Sequence, residues 1–287
     1  MGEDKYRLIA IDLDGTLLSP AGHVTPRVKQ AVRKVLDAGL LVCFATGRNW
    51  TESRTVLEAV EHYDSAVFVG GAMVVDTKKQ VVLHRTVMQP ELARELCAHL
   101  EAEGHAVLAG QDPLAAGVDY VVTGDLPMNE PTAFWMEVTS AKVQTVPRLA
   151  HYGHEHTIRV GIVAPPGEAA RVKWSLNEWF SGRTVFHSLT VPHFDMEVLE
   201  IFDPAVNKWE GVKLVAQRHG VAEHEIIAIG DDVNDLPMIR HAGLGVAMGN
   251  ARPEVLEVAK RVIGTNADEG LAEFLEELVD THAVEPM

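Results

Sequence analysis

Asp12 and Asp14 flank a single leucine in Asp12-Leu13-Asp14-Gly15-Thr16, at the end of the apolar run 8–13. Carboxylates so placed can serve as a nucleophile, as an acid or base, or as hard ligands for a divalent cation. A second acidic group, Gly230-Asp231-Asp232-Val233-Asn234-Asp235, follows the apolar run 226–229. Between the two lie Thr46-Gly47-Arg48, just before a helix pattern, and Lys208, at the start of another. A hydroxyl and a backbone amide at a helix N-terminus suit a phosphate oxygen, and a lysine offsets charge on a transferring group. Taken singly each signal is weak, because Asp-x-Asp and Gly-Asp-Asp often mark turns and a lone lysine is usually solvated. What sets them apart is their order along the chain and their placement at successive strand ends.

The elements that must hold these residues read as β-α-β-α-β over the first hundred residues. Strands are expected at 8–13, 40–45 and 66–69, and helices from Thr25-Pro26 to Gly39 and over 51–60. A hairpin follows, with arms 72–76 and 80–87. The middle of the chain mixes helices (90–100, 144–152, 168–180) with strands (105–109, 120–123, 134–139, 157–164, 184–189, 196–202). From Lys208 the βα alternation returns, with strands at 226–229, 244–248 and 261–263 and a last helix over 270–279. The fold class is therefore α/β: a Rossmann-like, doubly wound parallel sheet with an inserted α+β cap. The core is expected to be discontinuous, over 1–87 and 191–287, with the cap over 88–190.

Parallel strands of one sheet bring their carboxyl ends together, and open α/β sheets place their sites there. Asp12, Asp14, Asp231 and Asp235 would then converge, and carboxylates that converge must protonate or share a cation. A hard ion with oxygen ligands fits, and Mg²⁺ takes a few carboxylates together with water and phosphate oxygens.

Asp12-Leu-Asp-Gly-Thr-Leu17, Thr46-Gly-Arg48, Lys208 and Gly230-Asp-Asp-Val-Asn-Asp235 resemble, in order, the motifs of the haloacid dehalogenase superfamily. Gly245-Val-Ala-Met-Gly-Asn-Ala251 and Asp268-Glu-Gly270 are similar to its Cof-type sugar-phosphatase branch, whose cap lies between the second and third motifs. The resemblance implies a Mg²⁺-dependent phosphatase acting on a small phosphorylated metabolite, sugar phosphates foremost. It makes Asp12 the nucleophile that carries an aspartyl-phosphate and Asp14 the acid and base. It implies that Asp12, Asp231 and the Asp14 carbonyl bind Mg²⁺, with Asp235 behind them or joined through water. Thr46, Gly47, Lys208 and Asn234 would bind or orient the phosphate, and Asp232 would stay off the metal. A cap of that branch closes over the site and excludes water. Two positions depart from the branch: Gly70-Gly71-Ala72 stands where Asn-Gly-Ala is common, and Trp209 follows Lys208 in place of glycine. Two alternatives stay open: a phosphomutase of the same superfamily, and a non-catalytic sensor of a phosphorylated metabolite.

The remaining composition excludes more than it adds. With 25 basic and 41 acidic side chains, a net charge of −16 and no basic run, nucleic acid and anionic membranes are not expected partners. No apolar stretch is long enough to span a bilayer, and residues 1–5 carry no signal-peptide pattern, so a soluble cytoplasmic protein, monomer or homodimer, is expected. The two cysteines, Cys43 and Cys97, read as buried thiols. His151, His154 and His156 lack partners at metal-site spacing, and Phe134-Trp135-Met136, Trp174 and Trp179 read as cap core.

Overall fold

The computed structural model describes residues 6–62, 64–191 and 196–282; the N-terminal stretch 1–5, read above as lacking a signal, lies outside them. The chain forms two compact units, residues 1–84 with 207–287, and residues 85–206. No helix among the described residues is long and apolar enough to cross a membrane.

The first unit begins with β1 (Leu8–Ile11), buried throughout. α1 (Pro26–Asp37) starts where its signals are: the Thr25 side chain accepts from the Val28 amide at 3.3 Å, and Pro26 takes the first helical position. After β2 (Leu41–Phe44), α2 (Trp50–Ala59) opens on a reciprocal cap. Asn49 Oδ1 accepts from the Glu52 amide at 2.8 Å, and the Glu52 carboxylate accepts from the Asn49 amide at 3.0 Å. β3 (Ser65–Phe68), β4 (Met73–Asp76) and β5 (Val81–Arg85) make a small sheet of their own, with β3 antiparallel to β4. β3 still meets the end of β2 through a parallel bridge between Ala45 and Val67.

The second unit contains α3 (Pro90–Ala102), β6 (Leu108–Gln111), α4 (Pro113–Ala116), β7 (Tyr120–Thr123), α5 (Glu130–Val138), β8 (Val143–Val146), β9 (Thr157–Ala164), α6 (Glu168–Phe180), β10 (Val185–Val191) and β11 (Met196–Phe202). Its six strands run β10-β11-β9-β6-β7-β8, and Leu96 and Leu100 of α3 with Val172 and Leu176 of α6 pack in one apolar cluster with the sheet residues Val121, Val160 and Ile162.

Four expectations for this unit are corrected. Residues 134–139 are not a strand: Asn129 caps a helix by accepting from the Thr132 amide at 2.7 Å, and Pro131 favours its first turn. Residues 144–152 are not one helix: Val143–Val146 pairs in parallel with β7, Pro147 follows at once, and only the single 3₁₀ turn Leu149–His151 is helical. The boundary near residue 190 falls inside β10, and pairing of β11 with both β10 and β9 carries the unit to Val206. Trp174 and Trp179 are not core, being 70% and 67% exposed. Phe134, Trp135 and Met136 do pack, partly buried, against Leu108, Tyr120 and Val122. His154 is a structural group, buried between the Thr157 hydroxyl and the Leu149 carbonyl, each at 2.9 Å. Cys43 and Cys97 are buried free thiols.

The first unit resumes with α7 (Lys208–Arg218), β12 (Ile226–Gly230), α8 (Leu236–His241), β13 (Leu244–Ala247), α9 (Pro253–Val258), β14 (Arg261–Val262) and α10 (Gly270–His282). Its sheet runs β14-β13-β12-β1-β2, parallel throughout. Trp209 turns into the core, 4% exposed, with its ring stacked 6.0 Å from His241 and packed in one cluster with Val212, Ala228 and Met238. The bulky residue after Lys208 therefore fills interior volume.

Gly70 takes φ 63, ψ 15, a left-handed conformation open to both glycine and asparagine, so the departure at this position leaves the turn's backbone intact. Gly71 is more constrained. At φ +108, a Cβ here would lie 2.0 Å from the carbonyl oxygen of Asn207, the residue that caps α7 and precedes Lys208. Gly71→Ala is expected to destabilise the fold by about 3 kcal/mol, from strain and displacement of the start of α7. Thermal unfolding measures this, and an unchanged melting temperature would refute the close approach.

Candidate active site

β1 lies between β12 and β2, with Ile11 in register with both Ile229 and Phe44. This pairing makes neighbours of residues far apart in sequence. Asp12 continues the ladder by one bond, its amide donating to the Ile229 carbonyl at 3.0 Å, and its side chain is 6% exposed. Thr46 leaves β2 alongside, with its amide donating to the Val67 carbonyl at 2.9 Å and its carbonyl accepting from Gly70 at 3.0 Å.

The loop after Asp12 folds onto the end of β12. Leu18 closes it by donating to the Leu13 carbonyl at 2.8 Å, and Gly15 turns it at φ +75. A Cβ on Gly15 would fall 2.2 Å from Asp231 Oδ2, so only glycine lets this loop reach Asp231. Thr16 then donates from its hydroxyl to Asp231 Oδ1 at 3.1 Å. Asn250, after β13, ties the same place from the other side, donating to the Gly15 carbonyl at 2.9 Å and to Asp231 Oδ2 at 3.4 Å.

Lys208 Nζ donates to Asp12 Oδ1 and Asp235 Oδ1, both at 2.6 Å, with the three side chains almost wholly buried. Asp235 Oδ2 accepts from the amides of Asp231 and Asp232, at 3.0 and 3.1 Å. With both oxygens engaged, Asp235 braces Lys208 and the Asp231 loop together. Asp232 faces elsewhere: it accepts from the Val233 amide at 2.7 Å and approaches Arg252 at 3.5 Å. Asn234 has a buried Oδ1 with no hydrogen-bond partner among the described residues, and its Nδ2 lies beside Gly47. Asp14 leaves the carboxylate group altogether. Its side chain, 58% exposed, is gripped by Arg48 through two bonds, at 2.8 and 2.5 Å.

Asp12, Asp231 and Asp235 offer oxygen atoms that all lie within 4.8 Å of one another. Burial, and then the neighbouring carboxylates, push Asp12 well above the ordinary carboxylate range, with Lys208 pulling the other way. Burial and Asp235 raise Asp231 to about 7, against the pull of the Thr16 hydroxyl. Burial alone would lower Lys208, but Asp12 and Asp235 more than offset it and keep the ammonium charged. One lysine facing two buried carboxylates and the half-buried Asp231 leaves negative charge over, which an all-oxygen site for a hard divalent ion resolves. The donor set fits Mg²⁺.

Thr16, Arg48 and Asn250 received no role from sequence reasoning. Thr16 and Arg48 stand inside the quoted motifs. Asn250 also lies inside one, the run from Gly245 to Ala251, although its Gly249-Asn250 pair reads locally as a turn.

The raised carboxyls set a sign for pH dependence. Between the ordinary carboxylate range and about 7 the ion-free fold holds protons that the unfolded chain has released, so its stability falls as pH rises through that window. Binding a cation expels those protons. The gain in melting temperature on adding Mg²⁺ is therefore expected to be larger at pH 8 than at pH 6. The opposite order in a thermal shift series would count against this cluster as the ion site.

A profile of the haloacid dehalogenase-like hydrolases matches residues 9–275 of this chain. The 5-amino-6-(5-phospho-D-ribitylamino)uracil phosphatase YitU of Bacillus subtilis (strain 168) is 30% identical over 281 residues, covering 96% of this chain and 98% of that protein. The HMP-PP phosphatase of Serratia proteamaculans (strain 568) is 25% identical, with 94% of each covered. The solved structure of the sugar phosphatase BT4131, of subclass IIB, shares the fold with a TM-score of 0.75 at 19% identity, covering 94% of this chain and 98% of that one. Matched across nearly its whole length, and with the motif residues of both sequence halves meeting at the ends of neighbouring strands, the chain belongs to the haloacid dehalogenase-like hydrolases.

Proposed function

We propose that this protein is a Mg²⁺-dependent phosphatase that hydrolyses small-molecule phosphomonoesters, sugar phosphates foremost, through an aspartyl-phosphate on Asp12. The observation that carries this reading is the buried Asp12 carboxylate, fixed by Lys208 and set beside Asp231. Relatives named for phosphorylated ribityl and HMP-PP substrates, and a fold neighbour described as a sugar phosphatase, support the substrate class. Within this reading the core chemistry belongs to the first unit, and the second unit, residues 85–206, varies with the substrate.

In the first half-reaction a carboxylate oxygen of Asp12 bonds to phosphorus as the ester P–O bond breaks, and Asp14 protonates the departing alkoxide. In the second, Asp14 takes a proton from water, whose oxygen bonds to phosphorus, and the bond to Asp12 breaks to release phosphate. Asp14 must exchange Arg48 for the leaving oxygen to do this, and its exposure gives it that freedom. Lys208 would hold Asp12 in place and offset charge on the phosphoryl oxygens, with Thr46, the Gly47 amide and Asn234 binding or orienting them. Asn234 brings the buried, unpartnered oxygen noted above, a group suited to a hydroxyl or water of the bound state. Asp12, Asp231 and the Asp14 carbonyl would hold the ion, with Asp235 behind them. When bound, Mg²⁺ supplies positive charge that lets an anionic nucleophile and an anionic phosphate approach.

On an aryl phosphate with Mg²⁺, Asp12→Asn is expected to cut phosphate release by about 10³-fold or more, and Asp14→Asn by about 10²-fold. Equal, negligible rates for wild type and Asp12→Asn over a broad substrate panel would favour the sensor instead. Given a sugar monophosphate, free phosphate is the expected product; accumulation of only an isomeric phosphate would make the protein a mutase.

A further inference from the structure

Three consecutive residues after β3 have a positive φ: Val69 at +53, Gly70 at +63 and Gly71 at +108. Glycine takes such angles freely, but a β-branched residue does so only under strain. Among the described residues Val69 is the one β-branched residue with a positive φ, and its side chain is wholly buried. Strain of this kind persists only where the surroundings impose it, and it gathers at functional sites.

The hydrogen bonds show what this left-handed bend holds. The Val69 amide donates to the Arg48 carbonyl and the Gly70 amide to the Thr46 carbonyl, both at 3.0 Å. The Thr46 amide donates to the Val67 carbonyl at 2.9 Å. Residues 67–70 thus fix the Thr46-Gly47-Arg48 turn at three backbone points. Within that turn the Thr46 hydroxyl accepts from the Arg48 amide at 3.1 Å, which leaves its own proton to donate to a ligand. In an extended strand successive amides point to opposite sides; the bend at Val69 turns two of them toward one neighbour. A third consecutive glycine could adopt the same angle, but it would bring neither an anchored side chain nor a restricted backbone.

We propose that Val69 is a positioning residue for phosphate: its strained, buried bend holds the Thr46-Gly47 turn in the geometry that a phosphoryl group needs. Val69 touches no reacting atom and acts through the carbonyls of Thr46 and Arg48. The proposal rests on the reading of Thr46 and the Gly47 amide as phosphate ligands.

The test titrates the full chain with inorganic phosphate in the presence of Mg²⁺ by calorimetry, and follows phosphate release from an aryl phosphate beside it. Val69→Gly is expected to weaken phosphate binding and to lower kcat, each by about tenfold or more. Val69→Ala is expected to show a smaller loss of both, and takes the place of the glycine variant if that one fails to fold. The gain in melting temperature on adding Mg²⁺ is expected to stay as in wild type, because the carboxylate cluster follows β1 and β12. In a Thr46→Ala background, Val69→Gly is expected to weaken phosphate binding by no more than about threefold, as befits a residue that acts through that turn. Four results would each overturn the proposal: affinity and kcat within about twofold of wild type in both variants, equal losses in the two backgrounds, a Mg²⁺ gain that falls in step, or no phosphate binding by wild type up to about 10 mM. A wild-type chain that binds phosphate but releases none from any ester would sink the phosphatase reading alone, and the phosphate titrations would still decide the role of Val69.

Discussion

The buried contact of Lys208 with Asp12 and Asp235 constrains everything around it. A buried ammonium or carboxylate is costly unless paired and hydrogen-bonded, and removing one partner strands the others. Each neighbouring feature serves to keep this group closed. The β1–β12 pairing brings Asp12 within reach, and the absence of a side chain at Gly71 lets Asn207, and with it the start of α7, sit against the β3–β4 turn. Asp235 spends its second oxygen on the amides of Asp231 and Asp232, which turns a charge partner into the clamp for the next carboxylate.

The core and its order were legible in the sequence because the parallel strands are short, continuous apolar runs with turn residues after them. Asp12, Asp231, Asp235, Thr46 and Lys208 could be singled out since each stands at the end of such a run or the start of the helix after it. The inserted unit was less legible. Residues 134–139 carry aromatic and β-branched side chains that suit a strand, yet the cap at Asn129, five residues upstream, decides for a helix. Residues 143–146 form a strand only because β7 lies alongside, a partner that no local pattern reveals. Trp174 and Trp179 follow helical spacing, but lie on the face of α6 turned to solvent.

The contacts made by Thr16 and Asn250 were hidden for a related reason. Both depend on the Gly15 loop lying flush against Asp231, which the missing Cβ of one residue permits. Asn250 in turn accepts from the Asn266 amide at 2.9 Å, and Asn266 donates to the Leu18 carbonyl at 2.8 Å. A relay of short polar side chains thus holds the loop that carries Asp14. Any one of those asparagines, read alone, is a turn residue.

Asp12 and Asp14 are chemically identical and two positions apart, so the different roles proposed for them must come from their surroundings. Asp12 is buried, aimed by the sheet and held by an ammonium that cannot leave without exposing its own charge. That environment suits a nucleophile, whose attack depends on a fixed line of approach and little water. Asp14 lies in the loop, with its side chain 58% exposed and paired to a guanidinium that solvent can replace. A group that gives up a proton and then takes one back needs that freedom, because it must meet the leaving oxygen first and water afterwards. Burial, then, separates the two aspartates: it immobilises the one proposed as the nucleophile and leaves loose the one proposed as the acid and base.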